Sequence, residues 1–239
     1  MKFSQPVPFV RTAALTAIVA LSLLCGASAK DSSLNYLPPN QPDAATLLPP
    51  PPLPGSPEQA ADMAEVQTVY HAASSNDKAA AYAEKKFTVF SFAGAVGPFF
   101  VATNLPKTDA FFEQVQSDAA SATDTGKDFF QRPRPFTTDP SLANGKLEKS
   151  FSYPSGHSTE SMVLALVLAD LLPEKHDAII AHARTIGWHR VQIARHYQSD
   201  IYAGRVLAQA IVKQFKKSDS FEKDFEEAQA EIAACQKQP

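Results

Sequence analysis

Three short stretches of the sequence carry side chains able to do chemistry on an oxyanion: Lys127 with Arg134-Pro135, the run Pro154-Ser155-Gly156-His157, and Arg190 with His196 and Asp200. A phosphoryl group spreads negative charge over three outer oxygens, so transferring it calls for several fixed cations and N–H donors aimed at one point. Lys127, Arg134 and Arg190 supply such cations, arginine as a planar fork that fits two oxygens and lysine as a compact point charge. Taken singly, each is an ordinary solvated surface charge. The stretch from Lys127 to Arg134 is nonetheless unlike ordinary surface, because Phe129, Phe130, Pro133, Pro135 and Phe136 crowd it. Arg132 and Arg134 both precede a proline, so either could face the site.

Pro154 ends any preceding helix, Gly156 lets the backbone approach a ligand, and the residues that follow open a helix whose first N–H groups have no internal partner. Such a helix start attracts anions. By itself it also reads as a plain serine-capped helix; His157 beside it adds a proton that can be passed to a leaving oxygen. His196 can attack only while neutral at the attacking nitrogen, and a carboxylate on its other ring nitrogen holds that tautomer. Asp200 lies four residues on and can serve if a turn or helix joins the two; the alternative is an exposed i,i+4 ion pair. His71, His176 and His182 stand in no motif and read as surface or packing residues.

The elements that must position these groups read as helices. Ser56-Pro57 is a good helix entry, and Glu58 to His71 and Lys78 to Lys86 are rich in helix formers. Phe87 to Ala102 is uncharged and aromatic but interrupted by Gly94, Gly97 and Pro98, which suggests buried helix plus turn. Thr108 to Ala122 follows, with Thr108 as cap and Phe111, Phe112 and Val115 at core spacing. A helix opening beside His157 is apolar all round from Met162 to Ala169, so it should be central. Asp177 to Arg195, Ile201 to Phe215 and the amphipathic Ser220 to Gln236 complete the set. No β pattern and no repeat stands out, and the expected fold is all-α, a single-domain helical bundle over residues 58–239.

The 239 residues suffice for one domain with a real core, and 44% hydrophobic against 20% charged residues is ordinary globular composition. A formal charge of -3 disfavours a nucleic-acid partner. Residues 1–29 read as an export signal, with Lys2 and Arg11, the apolar stretch Thr12 to Leu24, and Ala27-Ser28-Ala29 as the cleavage site. The apolar stretch is shorter than the roughly 20 residues that span a bilayer, which disfavours a retained anchor. Leu24 before Cys25 disfavours lipid modification of that cysteine. Removal of Lys2 and Arg11 takes the charge from -3 to -5 and leaves Cys235 as a spectator thiol, without a disulfide partner. Residues 30–57 form a proline-rich arm; the run Pro49 to Pro52 favours extended geometry packed over the domain or a neighbouring subunit.

Lys127, six residues, Arg134-Pro135; then Pro154-Ser155-Gly156-His157; then Arg190, five residues, His196, three residues, Asp200: this resembles the three-part signature of the type 2 phosphatidic-acid-phosphatase superfamily. The exported bacterial class A non-specific acid phosphatases are the nearest resemblance, which extends to Leu47–Ser56, Ser152-Tyr153 and the tail helix. The pattern selects Arg134, with Arg132 as runner-up. It implies the helical fold of acid phosphatases and vanadium-dependent haloperoxidases, a periplasmic location and a homo-oligomer. It further implies hydrolysis of small phosphate monoesters through a phosphohistidine, with no metal and no cofactor. His196 would be the nucleophile, His157 the general acid and base, and Asp200 the residue that orients His196. Lys127, Arg134, Ser155, Gly156 and Arg190 would hold the phosphate. One departure is His189, where the family usually has serine.

Three other readings use the same pocket. A vanadium-dependent haloperoxidase would bind vanadate there, usually on a much longer chain. A membrane lipid phosphatase should show several spans, and none is evident after residue 29. A non-catalytic phosphate-binding protein would keep the cations without needing His196.

Overall fold

The computed structural model describes residues 1–2 and 36–237. The chain divides into two units, residues 1–32 and 33–239, and the elements below belong to the second. The expected export signal, apart from its first two residues, lies outside the described residues.

The second unit is built from α1 (Ala44–Leu47), α2 (Pro57–Ala72), α3 (Ser75–Ala83), α4 (Ala93–Val96), α5 (Pro106–Phe130), α6 (Pro135–Thr138), α7 (Gly156–Leu171), α8 (His176–Gln192), α9 (Gln198–Phe215) and α10 (Asp219–Gln236). Among the described residues there is no β-strand, and the expected all-α fold is met. None of the described helices is long and apolar enough to cross a membrane.

Helix starts follow local chemistry. The Ser56 hydroxyl accepts the Gln59 N–H at the head of α2, with Pro57 in its first turn, and Ser74 and Asp77 cap α3 reciprocally. α7 is the axis of the bundle, packed against α8, α9 and α5. Along it only His157, Glu160, Leu166 and Asp170 escape full burial. A helix apolar all round satisfies itself only in this position.

α9 comes close enough to α7 that a Cβ on Gly204 would stand 2.9 Å from the Ser155 carbonyl oxygen. Glycine is therefore what lets the loop before α7 lie on α9. α10 covers the other end with Phe221, Ala228 and Ile232 buried, and the Phe221 ring stacks on Phe215 at 5.2 Å.

Four expectations need correction. The helix placed at Thr108–Ala122 runs over Pro106–Phe130, because Leu105-Pro106 sets its start and no breaker follows until Pro133. Thr108 is not its cap: its N–H and hydroxyl donate to Glu231 at 2.7 Å. Phe87–Ala102, expected as buried helix plus turn, has less helix than that: the single-turn α4 lies between tight turns at Val89–Phe92 and Ala102–Asn104, with Gly97 at φ 140°. The helix expected to reach Arg195 ends at Gln192, and Ala194 then takes a left-handed φ of 53°. Finally, the proline-rich arm contains one helical turn, α1, capped by Asp43. Tyr36, Ala44 and Leu48 from that arm are buried in the main core.

Candidate active site

The longer α5 carries Lys127 into its last turn, where the side chain is nearly covered and its Nζ lies 3.2 Å from Asp124. A Cβ on Gly156 would stand 3.2 Å from Lys127 Nζ and 3.4 Å from Glu160 Oε1. The bare glycine thus leaves the ammonium room directly over the first turn of α7. There the N–H groups of Gly156 and His157 have no partner inside the helix. The Ser155 hydroxyl accepts the Ser158 N–H at 3.4 Å and keeps its own O–H to donate. The Ser155 N–H is taken by the Asp200 carbonyl at 3.1 Å.

The break after α8 places the second histidine. With Ala194 left-handed, the N–H groups of Arg195 and His196 turn back to the Arg190 carbonyl at 2.8 and 3.3 Å, and His196 is buried facing α7. Its Nδ1 lies 3.3 Å from Asp200 Oδ2 and 3.4 Å from the Ser152 hydroxyl. Its Nε2 is 3.1 Å from Arg134 Nη1. An arginine has only donors to offer. Nε2 therefore presents its lone pair and Nδ1 carries the proton, donated toward Asp200.

Burial first, then the Arg134 charge, lowers the His196 imidazole to about 3 against the opposing pull of Asp200. Burial alone would raise the Asp200 carboxyl. Hydrogen bonds from His196 and Ser152 and the Arg132 charge outweigh it, and the group stays below the usual carboxylate value.

His157 is held differently. Its Nε2 is buried without a hydrogen-bond partner, while the Glu84 backbone bonds the ring. With Nε2 unpaired, that bond falls to Nδ1–H and the Glu84 carbonyl. The Phe87 ring lies 5.5 Å from the imidazole. Burial, then Arg190 and His196, lowers His157 to about 3. Arg190 is buried, its Nη2 donates to the Ala81 carbonyl, and its Nε is another buried atom without partner. Burial lowers it to about 10 in spite of Glu84 and Glu148.

All the site residues singled out in the sequence thus meet at the start of α7, from α5, the α5–α6 link, α8, the α8–α9 link and α9. The two arginines that precede prolines separate sharply. Arg134 turns to His196, whereas Arg132 turns away into Asp62, Asp200, Ser199 and Gln59. Of the crowding rings, Phe129 is 63% exposed and does not enclose the cations.

Four participants carried no sequence signal: Asp62 behind Arg132, Glu84 at His157, and the pair Gln116 and Glu160, joined at 3.0 Å beside Lys127. His189, the departure from the family pattern, lies 2.6 Å from Glu84 Oε2 through Nδ1. His71, His176 and His182 lie elsewhere, against Tyr70, Asp177 and Phe92. Among the described residues no three His, Cys, Asp or Glu side chains gather as a metal site would require.

An all-helical bundle with cations and two histidines at the start of its central helix defines a class, and residues 115–219 match the PAP2 superfamily. The chain carries a PAP2 superfamily domain and is homologous to non-specific acid phosphatases. It is 31% identical over 153 residues to the non-specific acid phosphatase of Providencia stuartii, with 62% of each chain covered. To an acid phosphatase of Zymomonas mobilis it is 29% identical over 199 residues, covering 80% of this chain and 75% of that one. The match to the Salmonella typhi non-specific acid phosphatase is 33% over 117 residues, 46% of each. The chain thus spans 62% of the Providencia relative and less of the Salmonella one. The fold is shared with a transmembrane PAP2-type phosphatidylglycerolphosphate phosphatase from Bacillus subtilis, at TM-score 0.50 and 19% identity, covering 73% of this chain and 89% of that one.

Proposed function

We propose that this chain is a phosphatase that hydrolyses small phosphate monoesters through a phosphohistidine. The observation that carries the reading is the fixed tautomer of His196: Nδ1–H toward Asp200, the Nε2 lone pair beside Arg134, at the anion-attracting start of α7. The Nε2 lone pair attacks phosphorus as the ester P–O bond breaks, and protonated His157 gives its proton to the departing oxygen. The imidazole becomes cationic as the P–N bond forms, and Asp200 stabilises it. Water then attacks phosphorus, neutral His157 takes its proton, the P–N bond breaks, and inorganic phosphate leaves with His196 neutral again. Lys127, Arg134, Arg190, the Ser155 hydroxyl and the Gly156 N–H hold the oxygens throughout. With that charge supplied by side chains, the proposed reaction needs no metal.

The two histidines fit work in acid. A neutral nucleophile persists down to pH values near its lowered pKa of about 3. A bound phosphate dianion raises His157 from its own lowered value, because an opposite charge favours the protonated ring. The family and the sequence at residues 1–29 support a periplasmic enzyme, which cell fractionation and N-terminal sequencing of the mature protein test.

The purified protein should hydrolyse p-nitrophenyl phosphate in the presence of chelator. Acid-labile phosphate should be trapped on it by rapid quenching, and kcat/KM should hold up at pH 5. His196→Ala should lose about 10⁵-fold in kcat and all trapped phosphate. A His196→Ala protein with wild-type turnover would sink the assignment, and an acid limb near 6.5 would sink the account of the lowered pKa.

A further inference from the structure

We propose that Arg132 and Asp62 are positioning residues for the nucleophile, acting through Asp200 to hold His196 in its attacking orientation. The inference rests on the phosphatase reading above and extends the site to α2, which contributes no residue to the phosphate pocket.

Arg132 is buried, and both ends of its fork are occupied. Nη1 donates to Asp200 Oδ1 at 2.6 Å and to the Ser199 hydroxyl at 2.7 Å. Nη2 donates to Asp62 Oδ2 and to Gln59 Oε1, each at 2.7 Å. The Tyr197 ring covers the guanidinium at 3.8 Å. Direction, not degree of engagement, separates its role from that of Arg134: the nitrogens of Arg134 also have partners, but its Nη1 faces His196, whereas both ends of the Arg132 fork face carboxylates.

What it does instead is fix a carboxylate. Asp200 has two oxygens with different duties: Oδ2 accepts from Ser152 at 2.6 Å, from the Tyr197 N–H at 2.9 Å and from His196 at 3.3 Å. Oδ1 is tied to Arg132. Rotating the carboxylate to serve His196 otherwise would break a buried charge-assisted bond, so Arg132 sets the plane from which Asp200 meets the imidazole. Outer partners of this kind orient the groups that do the chemistry.

Charge explains Asp62. Arg132 alone beside Asp200 would cancel the negative charge that must stabilise the imidazole as it turns cationic. Asp62, 2.7 Å away on the far side and linked also through the Ser199 hydroxyl, offsets the arginine. The chain Asp62–Arg132–Asp200 then carries one net negative charge into the site. An arginine buried between two carboxylates is a costly arrangement to keep for stability alone.

The charged and titratable groups facing Asp200 are Arg132 and Arg134 from the α5–α6 link, Tyr153 ahead of α7, and His196 and Tyr197 ahead of α9. Asp62 of α2 stands behind Arg132. Burial pushes the Tyr153 phenol up to about 12, so it stays neutral in acid.

The test is the pH dependence of kcat and KM for p-nitrophenyl phosphate, paired with nitrogen NMR of the His196 ring, which reads the tautomer whether or not the protein turns over. Arg132→Gln should lower kcat about 10²-fold with KM within about threefold. Its acid limb should move to higher pH, since Asp200 without the neighbouring cation takes a proton more readily. Arg132→Lys should lose kcat without moving the limb, because it keeps the charge and loses the fork. Asp62→Asn should lower kcat about tenfold and move the limb the opposite way, toward lower pH. Ser199→Ala, the mildest change, should cost about threefold, and it carries the test if a charge variant fails to fold.

Unmoved acid limbs with kcat within twofold of wild type, or an unaltered His196 tautomer in Arg132→Gln and Asp62→Asn, overturn the proposal. A wild-type protein inert toward phosphate esters overturns the phosphatase reading instead, and the NMR result then still decides the positioning role.

Discussion

The two histidines sit in opposite kinds of surroundings. At His196 both ring nitrogens and both oxygens of its carboxylate partner are engaged, in a chain of buried bonds that reaches back to α2. At His157 one nitrogen is bonded to backbone while Nε2, like Nε of nearby Arg190, is buried without a partner. In one half the nucleophile and its carboxylate are fully partnered within the protein, and the unpaired atom, Arg132 Nε, lies behind them; in the other the unpaired atoms belong to the residues beside the phosphate site, and their natural partners are the oxygens of a substrate. That division matches the proposed chemistry. A nucleophile needs a fixed tautomer at every turnover, whereas an acid that later serves as base must exchange its proton with substrate and water.

The sharpest way to break the comparison is at the complete half. Asp200→Asn keeps the shape but offers an amide where Oδ2 accepted, so the imidazole is pushed toward the tautomer with its proton on Nε2, and the attacking lone pair is lost. The expected fall in kcat is about 10³- to 10⁴-fold, with KM little changed because no phosphate ligand is removed. A loss under tenfold in steady-state kinetics would mean that Arg134 and Ser152 hold the tautomer without the carboxylate.

The same substitution separates what could be read in the sequence from what could not. Asp200 and His196 lie four residues apart, so one helix start joins them, and their pairing follows from local spacing. Asp62 and Arg132 lie seventy residues apart. Nothing in either neighbourhood marks the pairing, which exists only because α2 packs against α8 and α9. The helices themselves followed from composition and caps, since those act within a turn or two. The end of α8 did not: Ala194 adopts a left-handed φ that alanine seldom takes, and tertiary packing imposes it. Arg132 and Arg134 are indistinguishable by type and by their following prolines. The spacing from Lys127 selects Arg134, but the task of Arg132 follows only from the direction of its side chain, toward carboxylates.

The open half should respond to the substrate more than to the fold. His157→Asn should cost about 10²- to 10³-fold in kcat on an alkyl phosphate, whose alkoxide needs a proton as it leaves. On p-nitrophenyl phosphate the first step should suffer far less, because that leaving group departs as a stable anion. Burst kinetics would then show phosphoenzyme accumulating, as its hydrolysis still lacks a base. Equal losses on the two esters would assign His157 to binding and remove the contrast between the halves.

The smallest effect belongs to His189, which touches the open half at one remove. Its Nδ1 lies 2.6 Å from the Glu84 carboxylate, and the Glu84 carbonyl in turn holds Nδ1–H of His157. The pair is partly exposed, which limits its worth to about 0.2–1 kcal/mol, a factor of roughly 1.4 to five in rate. His189→Ser, restoring the residue usual in the family, should therefore change kcat by no more than about fivefold. The change in the first step should be larger on the alkyl phosphate than on p-nitrophenyl phosphate, because only the alkyl leaving group needs the His157 proton as it departs. A shift equal on both esters would place the effect on Arg190, the neighbour of His189 in the chain, and so on phosphate binding. In that case the turn at Glu84 does not transmit position to His157, and the general acid is held by the packing of Phe87 and α7 alone.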